Sequence, residues 1–503
     1  METEIKLQAS PEDLDAVLRV IQGIAAVEGA PSSSRLESRY YDTPDRCLAG
    51  RKVALRVRRA GERYVQTVKT NGSGGGLFAR GEWEMDVASF SPQFPEGPPN
   101  LEEVFVTDIR RRTLNASYPP GRPGASQVEL AIDTGEIRSA AGRQLVCEVE
   151  LELLDGKPAD LFDLGARIAE QVPLQLSVDS KSARGFRLAD DEPPAAVKAE
   201  KLEFQPDVSL EDGMRDSFRA CIEQWFANQA AAMDGRDLEG VHQMRVALRR
   251  LRSALMFFRD FIPDPPLGEF KDESRWIAAS LGPARDWDVF LTETLPPLLD
   301  MWPEHRGLRA LNDAAERARR EGYEEARVAM ASPAYTVFAL RLSGWVERSA
   351  WRQGLNGEKA AALARPMAEH ARHLLDRLYD KVMRAGRDFD RLDVHEKHEL
   401  RIVLKKLRYA GEFFRSLFPK KDVKRFRDGL TSLLDDLGKL NDLTVAKALC
   451  GRLMDADESD GDALLTGTAA LLSWHEERGH VSDKALSRAW ADFAAADPFW
   501  RSD

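Results

Sequence analysis

Met1-Glu2-Thr3-Glu4-Ile5-Lys6-Leu7 opens the chain with an unbroken alternation of character. Successive side chains of a β-strand point to opposite faces. Glu2, Glu4 and Lys6 therefore share one side, and Thr3, Ile5 and Leu7 share the other. The apolar side can pack against other elements. The charged side faces either solvent or a polar cavity, and that choice decides the fold.

The neighbouring strands repeat the pattern. Arg56 and Arg58 share a face in Ala54-Leu55-Arg56-Val57-Arg58, with Leu55 and Val57 opposite. Glu82, Glu84 and Asp86 alternate, as do Glu148, Glu150 and Glu152, while Lys69 ends its strand and Glu129 and Asp133 share a face of theirs. Period-two runs cover 53–59, 64–69, 82–87, 127–133 and 145–154, separated by turn residues such as Pro119-Pro120-Gly121. They predict an antiparallel sheet or barrel of six or more strands. Two helices interrupt it, near 11–24 and 159–171, the first begun by Ser10 and Pro11. A solvated face is the ordinary explanation for one charged strand. Here the faces sort by sign, and the strands suffice to close a barrel with a polar interior. A dry interior could not hold so many unpaired charges. A wet tunnel can, if it binds something that needs both signs. A polyphosphate with divalent cations does: Lys and Arg neutralise phosphoryl oxygens, and carboxylates hold Mg²⁺ or Mn²⁺.

Composition narrows the classes. The chain has 503 residues, enough for about three domains or repeat halves. Its formal net charge of −11 disfavours a general grip on nucleic acid, so anion binding must come from local basic clusters. The four cysteines, Cys47, Cys147, Cys221 and Cys450, form no CxxC pair, which argues for a reducing compartment. No apolar run approaches the ~20 residues of a membrane span. A soluble, cytoplasmic protein is expected.

The character changes near residue 190. Ala189–Asp207 is polar and proline-containing, as a linker is, and the sequence beyond it has helical spacing with no sheet expected. That second region repeats. The block from Val241 to Phe258, with His242, Arg245, Arg249 and Arg252, matches the block from Lys397 to Phe414, with His398, Arg401, Lys405 and Arg408. Leu281-Gly-Pro-Ala-Arg-Asp286 matches Leu437-Gly-Lys-Leu-Asn-Asp442, and the offset is 156 residues both times. A duplicated all-α bundle with a pseudo-two-fold axis follows. In each copy the cations cluster within about a quarter turn, beside an apolar stripe. Like charges without interleaved Glu cost energy unless an anion compensates. The row is about 15 Å long, at ~1.5 Å per residue, which suits an extended polyanion. His305, His370, His373, His395, His475 and His480 have no partner in the repeat and are read as surface or packing residues.

Glu2-x-Glu4-x-Lys6, Tyr40-Tyr41-Asp42-Thr43-Pro44, Leu55-Arg56-Val57-Arg58, Thr67-Val68-Lys69, Arg80-Gly-Glu82, Glu148-Val-Glu150-Leu-Glu152 and Ser180-Lys181-Ser-Ala-Arg184-Gly, in this order, resemble CYTH domains, the triphosphate tunnel metalloenzymes. The resemblance implies an eight-stranded antiparallel tunnel over residues 1–190 that binds triphosphate and divalent metal. It implies Glu2, Glu4, Glu148 and Glu150 as metal ligands, and Lys6, Arg56, Arg58, Lys69, Arg111, Lys181 and Arg184 as phosphate contacts. Glu4, Lys69 and Glu82 are the expected catalytic residues. Strand parity alone selects Arg111 from Arg110-Arg111-Arg112, and Trp83 and Met85 are expected outside the tunnel. The paired helical blocks resemble the CHAD domain, which implies polyphosphate binding at the two stripes. The expected organisation is a tunnel domain at 1–190, a linker at 191–208, and a helical domain at 209–500 with repeats at 209–352 and 357–500. The expected activity is Mg²⁺- or Mn²⁺-dependent hydrolysis of inorganic triphosphate, with association to polyphosphate granules. Two alternatives stay open: a nucleoside or thiamine triphosphatase (or adenylate cyclase) using the same tunnel, and a non-catalytic polyphosphate scaffold.

Overall fold

The computed structural model describes residues 2–70, 79–93, 97–98, 100–456, 461–478 and 483–501. The alternating segments form nine strands: β1 (Glu2–Gln8), β2 (Ala26–Asp42), β3 (Val53–Ala60), β4 (Arg63–Thr70), β5 (Ala79–Val87), β6 (Glu102–Tyr118), β7 (Ser126–Ser139), β8 (Gly142–Asp155) and β9 (Gln175–Ser177). They pair antiparallel in the order β5-β4-β3-β2-β6-β7-β8-β1-β9, and β5 also pairs with β1. That last pairing, Glu2 opposite Arg80 and Thr3 opposite Ala79, closes eight strands into a ring. β9 is an appendage on the rest of the same β1 edge, at Lys6–Gln8. The eight-stranded expectation holds for the ring, with one short strand added outside it.

Directly opposed residues of antiparallel strands share a face. The register runs Lys6 opposite Glu150, Glu148 opposite Asp133, Asp133 opposite Arg111, Ser38 opposite Arg58, Tyr40 opposite Arg56 and Lys69 opposite Glu82. All the charged alternations therefore fall on one face of the ring. Ile5, Leu7, Leu55, Val57, Leu130, Val149 and Leu151 lie on the other face, and all are buried. Helix α2 (Pro158–Ala169) covers part of that face: a methyl at Gly165 would stand 3.4 Å from Leu151 and 3.8 Å from Ile5. Helix α1 (Leu14–Ile24) buries Leu14, Val17 and Ile21 at helical spacing. The apolar core is thus outside the ring, and the charged face is the interior. Trp83 and Met85 point outward and are exposed.

Within the ring, Leu36, Tyr40, Phe105, Ile109, Ile137 and Val146 form an apolar layer, joined by Phe186 and Leu188 of helix α3 (Lys181–Asp190). Tyr40 and Phe105, opposite each other on β2 and β6, stack with centroids 4.3 Å apart. Gly185 lets α3 lie on this layer, because a methyl there would meet the Phe105 ring at 2.1 Å. Ser180 caps α3 by accepting from the Ala183 N–H, and fixes Lys181 as its first residue.

The chain divides into two units. One comprises 1–198, 222–244 and 327–350, and the other 199–221, 245–326 and 351–503. The region after residue 199 is helical: α4 (Leu210–Ala227), α5 (Glu239–Phe257), α6 (Pro266–Ser280), α7 (Gly282–Val289), α8 (Arg306–Ala331), α9 (Pro333–Glu347), α10 (Met367–Ala385), α11 (Val394–Phe414), α12 (Lys420–Ala456), α13 (Gly461–Arg478) and α14 (Asp483–Ala494). The duplication is visible in the turns: α5 and α11 each run into a short 3₁₀ turn, at Arg259–Phe261 and Arg415–Leu417. The copies differ where α6 and α7 of the first become the unbroken α12 of the second. Among the described residues no helix is long and apolar enough to cross a membrane.

Candidate functional site

The ring interior concentrates charge in a small space. Glu150 on β8 faces three cations: Lys6 Nζ at 3.2 Å, Lys181 Nζ at 3.0 Å, and Arg111 in direct contact. Asp133 on β7, fully buried, accepts Arg111 Nε at 2.8 Å and Nη2 at 2.7 Å in a two-pronged pair. Lys181 Nζ is also 2.7 Å from Asp133 and in contact with Glu148. Arg184, one turn along α3, donates to Glu148 at 2.9 Å and to the Leu145 carbonyl at 2.9 Å. Glu4 pairs with Lys6. Arg58 donates to the Ser38 hydroxyl at 3.2 Å, and Arg56 lies 3.9 Å from Glu84.

These contacts set the protonation states. Burial alone would raise the Glu150 carboxyl, but Lys181, Lys6 and Arg111 outweigh it and hold it well below the usual carboxylate range. Burial would lower Lys181 and Lys6, yet the carboxylates around them push both upward. Arg111 is raised for the same reason, by Asp133 and Glu150 against its own burial. The opposite wall behaves differently. Arg58 is lowered to about 10, first by burial and then by Arg56 beside it. Tyr40 would be raised by burial, but Arg56 and Arg58 bring its phenol below the ordinary value. The interior therefore has a cation-rich wall on β3 and an acidic wall on β7 and β8 whose charges are neutralised by Lys6, Arg111, Lys181 and Arg184.

Most of the expected tunnel residues meet here: Glu4, Lys6, Arg56, Arg58, Arg111, Glu148, Glu150, Lys181 and Arg184. Lys69 lies on the interior face and is half-buried. The side chains of Glu2 and Glu82 lie outside the described residues. Parity selects Arg111, since Arg110 is exposed and Arg112 reaches Asp15 at 3.3 Å on the outer face. Asp133 is the residue that sequence reasoning left out of the site. Its signal was its place on the same face as Glu129, two strand steps away. Asp133, Glu148 and Glu150 each offer an oxygen within 4.8 Å of the others, and all three are buried. Hard carboxylate oxygens at that spacing fit a divalent cation of the Mg²⁺ or Mn²⁺ kind.

The two helical stripes also have defined surroundings. Arg249 and Arg408, one from each copy, both lie over the Tyr409 ring, at 5.1 and 5.2 Å. Phe257 and Phe258 at the end of α5 pack on Phe413 and Phe414 at the end of α11. Arg245 donates to the Ala278 carbonyl at 2.9 Å, and a methyl at Gly282 would stand 3.1 Å from its Nη1. Its counterpart Arg401 faces Gly438 in the same way, at 3.6 Å. The repeated glycine thus lies against the repeated arginine in both copies, tightly at Gly282 and at ordinary contact distance at Gly438. Arg252, Arg401, Lys405 and Arg408 are half-buried, whereas Arg249 and His398 are exposed and His242 is half-buried.

Residues 1–186 match the CYTH domain family, and residues 216–451 match the CHAD domain family. A curated relative named inorganic triphosphatase, from Haemophilus influenzae, is 30% identical over 199 residues, 37% of this chain. The chain spans about half of that relative, 54% of its length. The crystal structure of the CHAD domain from the plant Ricinus communis aligns with a TM-score of 0.52 at 30% identity, covering 60% of this chain and 98% of that one. PptA from Streptomyces chartreusis aligns at 16% identity with a TM-score of 0.41, over 56% of this chain and all of its own. The closed strand ring with its charged interior and the duplicated helical region thus coincide with two matched segments, and the chain consists of a CYTH domain followed by a CHAD domain.

Proposed function

We propose that the chain is a divalent-metal-dependent inorganic triphosphatase that converts triphosphate and water to diphosphate and phosphate. The observation that carries this reading is the buried trio Asp133, Glu148 and Glu150 set inside a ring whose other walls present Lys6, Arg56, Arg58 and Arg111. A pure anion binder gains nothing from buried carboxylates. The likeness to a relative named inorganic triphosphatase supports the substrate. Glu4, Glu148, Glu150 and Asp133, with Glu2, would hold Mg²⁺ or Mn²⁺, which when bound polarises phosphoryl oxygens. Arg56, Arg58, Lys69 and Arg111 neutralise the non-bridging oxygens where charge develops during transfer. Lys6, Lys181 and Arg184 serve the phosphates from the acidic wall, and Glu82 orients water.

Residues 209–500, with the two stripes, are proposed to bind polyphosphate in a cytoplasmic setting, separated by the 191–208 linker from the tunnel domain at 1–190. The doubled guanidinium on Tyr409 favours this, because like charges gathered on one ring are stabilised by a bound anion. The test is phosphate release from triphosphate with Mg²⁺ or Mn²⁺. Loss of release in the Glu4→Ala, Glu150→Ala double variant supports the tunnel as the site, and undiminished release overturns it. Retained polyphosphate affinity after charge reversal at Arg245, Arg249, Arg401 and Lys405 overturns the stripe assignment.

A further inference from the structure

Lys181 occupies a position that a phosphate contact does not explain. Its ammonium touches all three members of the carboxylate trio: Asp133 at 2.7 Å, Glu150 at 3.0 Å, and Glu148. Those three oxygens lie within 4.8 Å of one another, so the centre they define is the place where a cation satisfies all of them. Lys181 fills that centre from the first turn of α3, on a long flexible stem. An ammonium and a divalent ion cannot share a site of this size, because their repulsion in a buried setting is several times that in water.

We infer, resting on the triphosphatase reading, that Lys181 is the resting occupant of the metal position, and that cation and triphosphate bind as coupled ligands. When a divalent ion takes the trio, the Lys181 ammonium must leave it and needs an anion elsewhere. Among the described residues, the other charges in contact with the trio are Arg111, Lys6 and Arg184, all cations, and Glu4 on the same interior face is already paired with Lys6. Triphosphate is the anion that can receive the released ammonium. Each ligand therefore raises the affinity for the other by the same factor. The arrangement keeps the trio neutralised when substrate is absent and yields it when substrate arrives.

The experiment measures Mn²⁺ affinity of the full chain calorimetrically, with and without imidotriphosphate, whose P–N–P bridges resist hydrolysis. Wild type should bind Mn²⁺ at least about tenfold more tightly when the analogue is present, within the usual span of coupling. Lys181→Met should bind Mn²⁺ alone about tenfold more tightly than wild type and lose most of the coupling. Lys181→Arg, which keeps the charge, should resemble wild type in the absence of analogue. Equal Mn²⁺ affinity with and without the analogue in wild type overturns the inference, a result that needs no variant. So does a Lys181→Met chain, folded by its melting curve, whose Mn²⁺ affinity and coupling are unchanged. Failure of wild type to bind Mn²⁺ under either condition overturns the triphosphatase reading itself.

Discussion

Asp133 has no exposed surface, and two cations depend on it: Arg111 through both prongs of its guanidinium and Lys181 through its ammonium. Asp133→Asn keeps the shape and removes the charge, leaving two buried cations short of a partner. We expect a stability loss of about 3 kcal/mol, read as a lower denaturant midpoint, together with a steep fall in phosphate release. A conservative Glu4→Gln change, on a half-buried residue paired with Lys6, should cost less stability. His370 gives a residue-level pH prediction. Its ring is half-buried, lies on Phe258 and donates from Nε2 to the Phe257 carbonyl at 3.0 Å; Arg377, Asp260 and His373 are the charged or titratable groups facing it. Burial, the largest cause, pushes its pKa below 6.5. A base whose folded value is depressed takes up its proton later in the folded chain than in the unfolded one. Its contribution is complete above 6.5 and drains as pH falls through the folded value, at under about 1.4 kcal/mol per pH unit. Melting temperature should therefore drop more between pH 7.5 and 5.5 in wild type than in His370→Gln; an equal drop contradicts this. Single residues were legible where parity could be counted. Arg111 follows from alternation alone. Asp133 did not, because alternation marks a face without saying which members of it converge across three strands.

At the scale of elements, β3, β4, β5, β7 and β8 could be read because each alternates cleanly between turns. The long strands β2 and β6 were harder. β2 contains Gly29-Ala30-Pro31 followed by Ser32-Ser33-Ser34, a composition that reads as a turn, and its pairing with β6 slips between Glu28 and Ser32. A bulge absorbs the breakers there, and only the pairing partner reveals it. The α3 helix carries Lys181 and Arg184 into the ring at the depth set by Gly185. Gly185→Ala would drive a methyl to 2.1 Å from the Phe105 ring and must displace the helix. The expected cost is about 1–3 kcal/mol, with a loss of phosphate release larger than the stability change explains. The two glycine notches predict different outcomes for one substitution. Gly438 sits inside the continuous α12, where a methyl has 3.6 Å to Arg401, so Gly438→Ala should stabilise by up to about 1 kcal/mol. At Gly282 the methyl meets Arg245 Nη1 at 3.1 Å, and Arg245 is tethered to Ala278. Gly282→Ala should therefore gain nothing in the same melting assay.

For the whole molecule, the composition change near residue 190 was plain in the sequence. Which helices support the strand ring was not, because helical periodicity marks a buried stripe without naming the surface that buries it. The unit containing the ring also takes in 222–244 and 327–350. α9 lies along α2, where a methyl at Gly344 would stand 3.1 Å from Phe162, and Leu340 reaches Gly165. The short strand β9 would otherwise present a bare edge. Its Leu176 N–H donates to the Thr336 hydroxyl at 3.1 Å, and its carbonyl accepts from Gln229 Nε2 at 2.6 Å. Gln229 is in turn held by the Tyr335 hydroxyl at 3.1 Å. Cutting the chain after residue 198 removes all these partners at once. It bares the apolar back of α2 and an unpaired strand edge, the two features that promote association between chains. The 1–198 fragment should melt well below the corresponding transition of the whole chain, bind a hydrophobic dye, and aggregate at concentrations where the whole chain stays dispersed. Its phosphate release should fall because the folded fraction falls, so release per folded molecule should stay close to that of the whole chain. A fragment that matches the whole chain in melting temperature and dye binding would mean that the helical segments rest on the ring without stabilising it.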